Sequence, residues 1–207
     1  MKIEQPKIQT LNQATFNDCI IDQDFYNKLI DENPTMDMDE ECRVDSCHFK
    51  KIDFTKTKID VKEFLDVIFE NCDFTTMEFN EVNFHRCKFT NCKMSGANFY
   101  HCIMKNVEFD ACLIRLSNFS NGKIELSRIQ NSNLEESRFF QVELKKIEFK
   151  ENDVTKGEFF ETSLNGVDFS SSIIEGITVD LNSLKGIKVN STQAIRLASL
   201  LGIEVVD

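Results

Sequence analysis

A large apolar residue at every fifth position, unbroken from Val44 to Val189, limits this chain more than any other feature it has. The series begins Val44, Phe49, Phe54, Ile59, Phe64, Phe69, Phe74, Phe79, Phe84 and Phe89, and ends Phe159, Leu164, Phe169, Ile174, Val179, Leu184 and Val189. A helix keeps one face apolar by steps of three and four, and a strand by steps of two, so neither holds a period of five on one side. A repeating coil does, and such a period outranks any local reading of secondary structure. Two residues before each large position the chain is mostly small, as at Cys47, Cys72, Cys87, Cys92, Ala97, Cys102, Cys112, Ser117, Gly122 and Ser127. Each unit therefore offers one large and one small inward side chain and turns the rest outward. Lys62 falls on a small inward site, where Thr57, Met77 and Asn152 also fit poorly. Distortion is expected over residues 55–66, with the Lys62 stem threading between coils so that its amine reaches water.

This alternation resembles the pentapeptide-repeat family, whose loose consensus is Ala, then Asp or Asn, then Leu or Phe, then two free positions. Ala97-Asn98-Phe99, Cys72-Asp73-Phe74 and Val167-Asp168-Phe169 match it. The resemblance covers residues 42–191 and implies an all-β fold, a right-handed quadrilateral β-helix with four repeats, or twenty residues, per coil. Those 150 residues make 150/20, or 7.5 coils, and at the ~4.8 Å strand separation a rod roughly 36 Å long. Residues twenty apart are then expected to stack. One ladder is Phe79, Phe99, Phe119, Phe139 and Phe159, and the opposite side carries Phe49, Phe69, Phe89 and Phe109.

Both ends depart from the period. Residues 1–30 read as irregular coils in another phase, with Leu11, Phe16, Ile21 and Tyr26 at large positions and Ala14 and Cys19 at small ones. Residues 31–41 read as an acidic loop with six acids and no base. Pro34 and dense like charge resist pairing and burial, so the loop is expected to protrude. Asp37 and Asp39 have Asp-x-Asp spacing but lack the Gly and bidentate Glu of an EF-hand, so no metal is assigned. Residues 192–207 read as a helix over 192–201, capped by Asn190 or Ser191 and stopped by Gly202, with a short strand over 203–206. A solenoid must cover the core and strand edge of its last coil, which suits a short apolar helix.

The closing residues, Gly186-Ile187-Lys188-Val189, Gln193-Ala194 and Leu201-Gly202-Ile203-Glu204-Val205, look like the end of Qnr-type quinolone-resistance proteins. That resemblance implies a homodimer joined head to head through Ala194, Leu197, Ala198, Leu201, Ile203 and Val205, roughly 70 to 90 Å long; a soluble, cytoplasmic protein is expected separately, because no apolar run suits a signal peptide or a membrane span. It also implies a DNA mimic that engages DNA gyrase or topoisomerase IV and protects it from quinolones.

Charge tests that expectation. The net charge of −11 disfavours direct binding of nucleic acid, which needs cations to displace counterions from phosphate. Residues 1–41 hold ten acids and three bases, net −7, and residues 192–207 add −1, which leaves −3 for the repeats. DNA carries one charge per ~1.7 Å, so charge alone does not make the rod look like DNA. The side of Phe79 and Phe99 stands apart, with outward Glu78, Glu81, Tyr100, Phe140, Glu158, Phe160, Glu161 and Asp180. Acids flanking exposed aromatics suit a protein partner. This face and the acidic residues Asp37, Asp39, Glu40 and Glu41 are the candidate contacts. The alternative to gyrase is a non-catalytic scaffold with another partner.

Enzymatic and cofactor chemistry find no support in the pattern. Seven of the eight Cys (42, 47, 72, 87, 92, 102 and 112) fall on the small inward site, separated by multiples of five with no C-x-x-C, and read as small buried hydrophobes. Cys72, Cys92 and Cys112 are expected to stack, with a disulfide disfavoured in reducing cytoplasm. His48, His85 and His101 fall on three different sides and cannot converge. No convergent catalytic groups, cofactor site or membrane span are expected.

Overall fold

The five-residue period belongs to the backbone as well as to the side chains. The computed structural model describes residues 1–38 and 40–206, with Leu201 described in its backbone alone. A left-handed φ recurs two residues after most of the large positions, as at Asn71 (57°), Thr76 (57°), Glu81 (63°), Arg86 (52°), Asn91 (53°) and Gly96 (70°). Each such residue carries the chain around a corner. The αL region costs an L residue roughly 1–2 kcal/mol, with Asn and Asp the non-glycine residues that visit it most readily, and Asn takes the corner at 71, 91, 106, 121 and 131.

Four corners close a coil and lay each repeat on the one twenty residues earlier. The elements are β1 (Asn12–Gln13), α1 (Phe16–Asp22), β2 (Lys28–Ile30), β3 (Cys42–Asp45), β4 (His48–Lys50), β5 (Val61–Leu65), β6 (Ile68–Glu70), β7 (Asn83–Thr90), β8 (Ile103–Asp110), β9 (Lys123–Gln130), β10 (Glu143–Lys150), β11 (Glu158–Phe159), β12 (Thr178–Val179) and α2 (Ser191–Ala198). Strands β7 to β10 pair in parallel, with Phe84 on Met104, Met104 on Ile124 and Ile124 on Leu144. Single bridges continue the other two sides, Asp73 to Lys93 to Leu113 and Glu78 to Asn98 to Asn118. The result is a parallel β-solenoid of about 8 turns.

The core is the series of large residues. All of them from Val44 to Val189 are buried except Ile59, Leu144, Val179, Leu184 and Val189, which are half-buried. The expected ladders form: Phe79 to Phe99, Phe119, Phe139 and Phe159 at ring separations of 5.1, 4.9, 4.8 and 4.8 Å, within 9° of parallel. Phe49, Phe69, Phe89 and Phe109 follow at 5.3, 4.7 and 4.8 Å. Where ladders meet, rings sit edge to face, as for Phe99 and Phe109 at 6.4 Å and 76°. The inward companion must be small because backbone lies against it: a Cβ on Gly122 would come 2.9 Å from the Cys102 carbonyl oxygen.

Four expectations are corrected. Residues 11–26 do not continue the period, because Phe16–Asp22 is helical, capped by the Thr15 hydroxyl and closed at Gln23 in αL. Phe16 and Cys19 point into the core while Ile21 and Tyr26 are exposed, a three-and-four spacing that overrides the five. Phe16 plugs the first coil, 5.4 Å from Phe25, 5.9 Å from Phe49 and 5.7 Å from Phe54. Lys62 threads nothing: the register slips between Cys42↔Val61 and Arg43↔Glu63, so Val61 takes the inward site and Lys62 stands outside. One extra residue in a strand disturbs the ladder less than a buried ammonium would.

The acidic segment lies along the first coil instead of protruding. The Met38 N–H donates to the Lys58 carbonyl (2.9 Å), the Lys58 N–H donates to Asp37 Oδ1 (2.8 Å), and Met38 is buried. At the far end no strand forms over 203–206; the Ile203 N–H closes back on Ala198 (3.1 Å), and among the described residues no strand lies beside it to pair. Helix α2 does cover the last coil. Asn190 and Gln193 cap each other's backbone, and Gln193 Nε2 donates to the carbonyls of Phe169 (3.0 Å) and Ser172 (2.6 Å).

A face of acids and aromatics

The twenty-residue register sorts outward side chains into columns along the axis. On the face lined by the Phe79 to Phe159 ladder, Tyr100, Phe140 and Phe160 occupy one column, one residue after each ladder Phe, with Ser120 between the first two. Tyr100 and Phe160 are 38% and 41% exposed, while Phe140 is half-buried. Glu78 and Glu158 flank them in the column before the ladder, and Glu81 and Glu161 in the corner column. The two acidic pairs lie four coils apart, ~19 Å along the axis.

Not all of these carboxylates are free. Glu158 Oε2 accepts from Arg138 Nε at 2.8 Å, one coil below. Glu161 Oε2 accepts from Gln141 Nε2 at 2.7 Å. Glu78 Oε2 accepts from the neutral amides of Asn80 (3.0 Å) and Asn98 (2.8 Å), and Asn118 continues the ladder to Asn98 at 2.9 Å. Asp180 is locked by the Ser183 hydroxyl and by the N–H groups of Glu161, Ser183 and Asn182, which hold its carboxyl down at about 2. Pairing one coil apart recurs elsewhere: Lys93 with Asp73 (3.4 Å), Lys156 with Glu136 (3.2 Å), and Arg128 with both Glu108 (3.3 Å) and Glu148 (2.7 Å).

The other candidates lie at the two ends. Beside α1, Ile20, Gln23, Phe25, Met36, Met38 and Cys42 help to line a cavity of about 760 Å³. On its rim Glu40 accepts from Gln23, and Glu41 is 3.5 Å from Lys62 Nζ. Asp39 lies outside the described residues. Cys42 is the half-buried thiol of the eight, with Sγ 3.3 Å from Met38 Sδ, and all eight are free thiols. Around α2, Ala194, Ile203 and Val205 are exposed and Leu197 and Ala198 half-buried; the Leu201 side chain is outside the described residues. Ile195, Leu200 and Val206 add to this apolar end. His48 lies beside Glu70 (3.2 Å), His85 beside Arg86 (3.1 Å) and His101 against Tyr100. Among the described residues no group of three or more His, Cys, Asp or Glu is placed to hold a metal, and no helix is long and apolar enough to cross a membrane.

One set of contacts had no counterpart in the sequence reading. Residues 1–7 run along the rod, bonded to Asp66, Asn106 and Glu148. The only hint in the sequence is Ile3 and Pro6, three residues apart.

Comparison with known proteins places this geometry. Residues 62–139 match the family model described as pentapeptide repeat region. Among solved structures, a trypsin-treated variant of QnrB1, a plasmid-mediated fluoroquinolone resistance protein, is 20% identical over 87% of this chain and 89% of that one, with a TM-score of 0.47. A pentapeptide repeat protein from the thylakoid lumen of Arabidopsis thaliana is 19% identical over 47% of this chain and 65% of its own, with a TM-score of 0.35. No curated protein matches significantly in sequence. Residues 62–139 are a pentapeptide repeat region, and the same period and stacked geometry continue on both sides of it, from Val44 to Val189.

Proposed function

We infer that this protein is a non-catalytic, cytoplasmic, Qnr-like rod that engages a type II topoisomerase, DNA gyrase or topoisomerase IV, in place of or alongside DNA, and so protects it from quinolones. The observation that carries the reading is the column of Tyr100, Phe140 and Phe160 flanked by Glu78, Glu81 and Glu161 on a face stiffened by the Phe ladder beneath. Exposed aromatics set among acids mark protein interfaces. The likeness of residues 186–205 to the closing segment of Qnr-type proteins supports this choice of partner. Mimicry on this reading is one of shape more than charge density, because many carboxylates meet a cation one coil away. The apolar end around α2 supplies the homodimer contact.

Gyrase supercoiling in the presence of a fluoroquinolone tests the reading. Protection is expected with the protein and is expected to fall when Tyr100→Ala and Phe160→Ala are combined. Neither protection nor inhibition over a wide protein range would remove gyrase as the partner. The alternative, a scaffold for another protein, draws on the same face, and capture of a different protein that is lost in the double variant would favour it.

A further inference from the structure

Three of the rod's four corners are bare and the fourth is covered. At the corner residues Asn71, Asn91, Ala111 and Asn131, and likewise at Glu81, His101 and Gln141, the side chains are exposed. On the corner formed by Ser46, Asp66, Arg86 and Asn106, the residues Ser46, Asp66 and Asn106 are buried. Over Asp66 and Asn106 lies the arm, residues 1–7, laid along the axis against the direction in which the coils advance. The Lys7 N–H donates to Asp66 Oδ1 (2.8 Å), and the Glu4 N–H donates to Asn106 Oδ1 (3.1 Å). The Met1 amino group lies 3.3 Å from Glu148 Oε1.

The spacing is commensurate. Three residues of arm pass while the rod advances from Asp66 to Asn106, two coils, and three more pass between Asn106 and the coil of Glu148. Two coils are ~9.6 Å; one three-residue turn of a polyproline II helix is ~9.3 Å. A strand, with period two, would present alternate faces to successive rungs. A three-residue period keeps the same face down, and Ile3 and Pro6, three apart, are half-buried while Lys2, Glu4, Gln5 and Lys7 are exposed. The rungs are side-chain acceptors, which suits an extended peptide whose own backbone N–H groups have no internal partners. Burial alone would raise the Asp66 carboxyl; the Arg86 guanidinium and the Lys7 N–H outweigh it and hold it below its ordinary value, ionised and ready to accept. Past Met1 the channel continues as a cavity of about 610 Å³ lined in part by Arg128, Ile147, Glu148, Gly166 and Asp168.

We propose that this corner is a binding groove for an extended peptide with an apolar residue or proline at every third position, and that the arm is its ligand in cis. A segment of the same chemistry from another polypeptide takes the groove when the arm lifts. The tethered arm competes at an effective concentration in the millimolar range, so the groove is masked in the resting protein.

Two measurements on the full chain test this. Amide exchange by NMR should show Glu4 and Lys7 protected at least about tenfold over Ile3 and Gln5, as unequal hydrogen bonding requires. A fluorescent synthetic peptide with the sequence of residues 1–7 should bind the Ile3→Asp, Pro6→Asp variant at least about tenfold more tightly than the unaltered chain, the tethered competitor being removed. Adding Asn106→Ala should weaken that binding again. Ile3 and Pro6 lie outside the coils, and an unchanged circular dichroism melt confirms that the variant keeps its fold. Equal exchange along residues 2–8 overturns the three-residue register; a peptide that binds variant and unaltered chain alike, or neither, overturns the groove.

Discussion

The early and late coils fill the same inward site with different chemistry. From Cys47 to Cys112 six of its fourteen positions are thiols and most of the others are apolar; from Ser117 to Ser172 it holds Ser127, Ser132, Ser137, Asn152 and Thr162. Members of both sets reach for one acceptor, the carbonyl 23 residues back, although Ser127 and Ser132 donate to the carbonyl two residues back instead. Cys87 Sγ is 3.2 Å from the Phe64 oxygen and Cys92 Sγ 3.5 Å from that of Phe69, while Ser137 Oγ is 2.8 Å from the Ile114 oxygen and Thr162 Oγ1 2.6 Å from that of Phe139. The acceptor is therefore built into the coil, and the side chain only has to be small and carry a donor.

The late coils add a second layer of bonding. The Cys112 N–H donates to Ser132 Oγ (3.0 Å), the Ser132 N–H to Asn152 Oδ1 (3.0 Å) and the Asn152 N–H to Ser172 Oγ (3.2 Å), so each coil is tied to the next through its interior. Thiols accept weakly, and the early coils lean on aromatic packing instead. Phe54 on Phe74 and Phe64 on Phe84 add two more stacks there to the two long ladders.

The sharpest way to separate the halves is alkaline pH, and it carries the largest expected effect. Burial pushes Cys47, Cys87 and Cys102 up to about 12, from an ordinary 9.0. Cys72 and Cys112 are raised by hydrogen bonding to the Cys92 thiol between them and by burial. A group raised on folding leaves stability untouched below its unfolded value and removes it as pH climbs toward the folded one. Stability should thus fall between about pH 9 and about pH 12, by on the order of 1 kcal/mol per buried thiol and pH unit. Amide exchange should show the loss over residues 44–112 before residues 117–177, and simultaneous loss in both halves would erase the distinction.

Packing comes next. Phe99→Ala removes a ring stacked on both neighbours, 5.1 Å from Phe79 and 4.9 Å from Phe119, and should cost about 3–5 kcal/mol in denaturant unfolding, as other buried aromatic truncations do. A cost under about 1 kcal/mol would mean that the ladders are a consequence of the coil and not its support.

The coil was legible in the sequence because a solenoid writes its geometry once per repeat: Phe79, Phe99 and Phe119 had to stack if any of them did. Face membership of Tyr100 and Phe160 followed by the same counting. Single events were not legible. Phe16, Ile21 and Tyr26 keep the five-residue step, yet Thr15 as a cap and the three-and-four spacing of Phe16, Cys19 and Ile20 made a helix there. The slip that expels Lys62 is one residue long and breaks no count downstream. Whether Glu158 is free or held depends on Arg138 reaching across a coil, which no period encodes. The arm was invisible for a related reason, since its three-residue step matches the rod only when both are laid side by side.

The smallest expected effect bears most directly on the two halves. If the acceptor 23 residues back belongs to the coil, exchanging the inward donors should barely matter. In Cys87→Ser the hydroxyl meets the Phe64 carbonyl that now faces the thiol, and in Ser137→Cys the thiol meets the Ile114 carbonyl. A stronger hydrogen bond in the first case offsets the lost polarisable contact of sulfur, and the reverse holds in the second. Both variants should unfold within about 1 kcal/mol of the parent. Ser132→Cys should cost more than Ser137→Cys, because Ser132 also receives the Cys112 N–H while Ser137 receives none of the described N–H groups. Equal costs for the two serines would show that the interior relay adds nothing to the late coils, and the halves would then differ in composition alone.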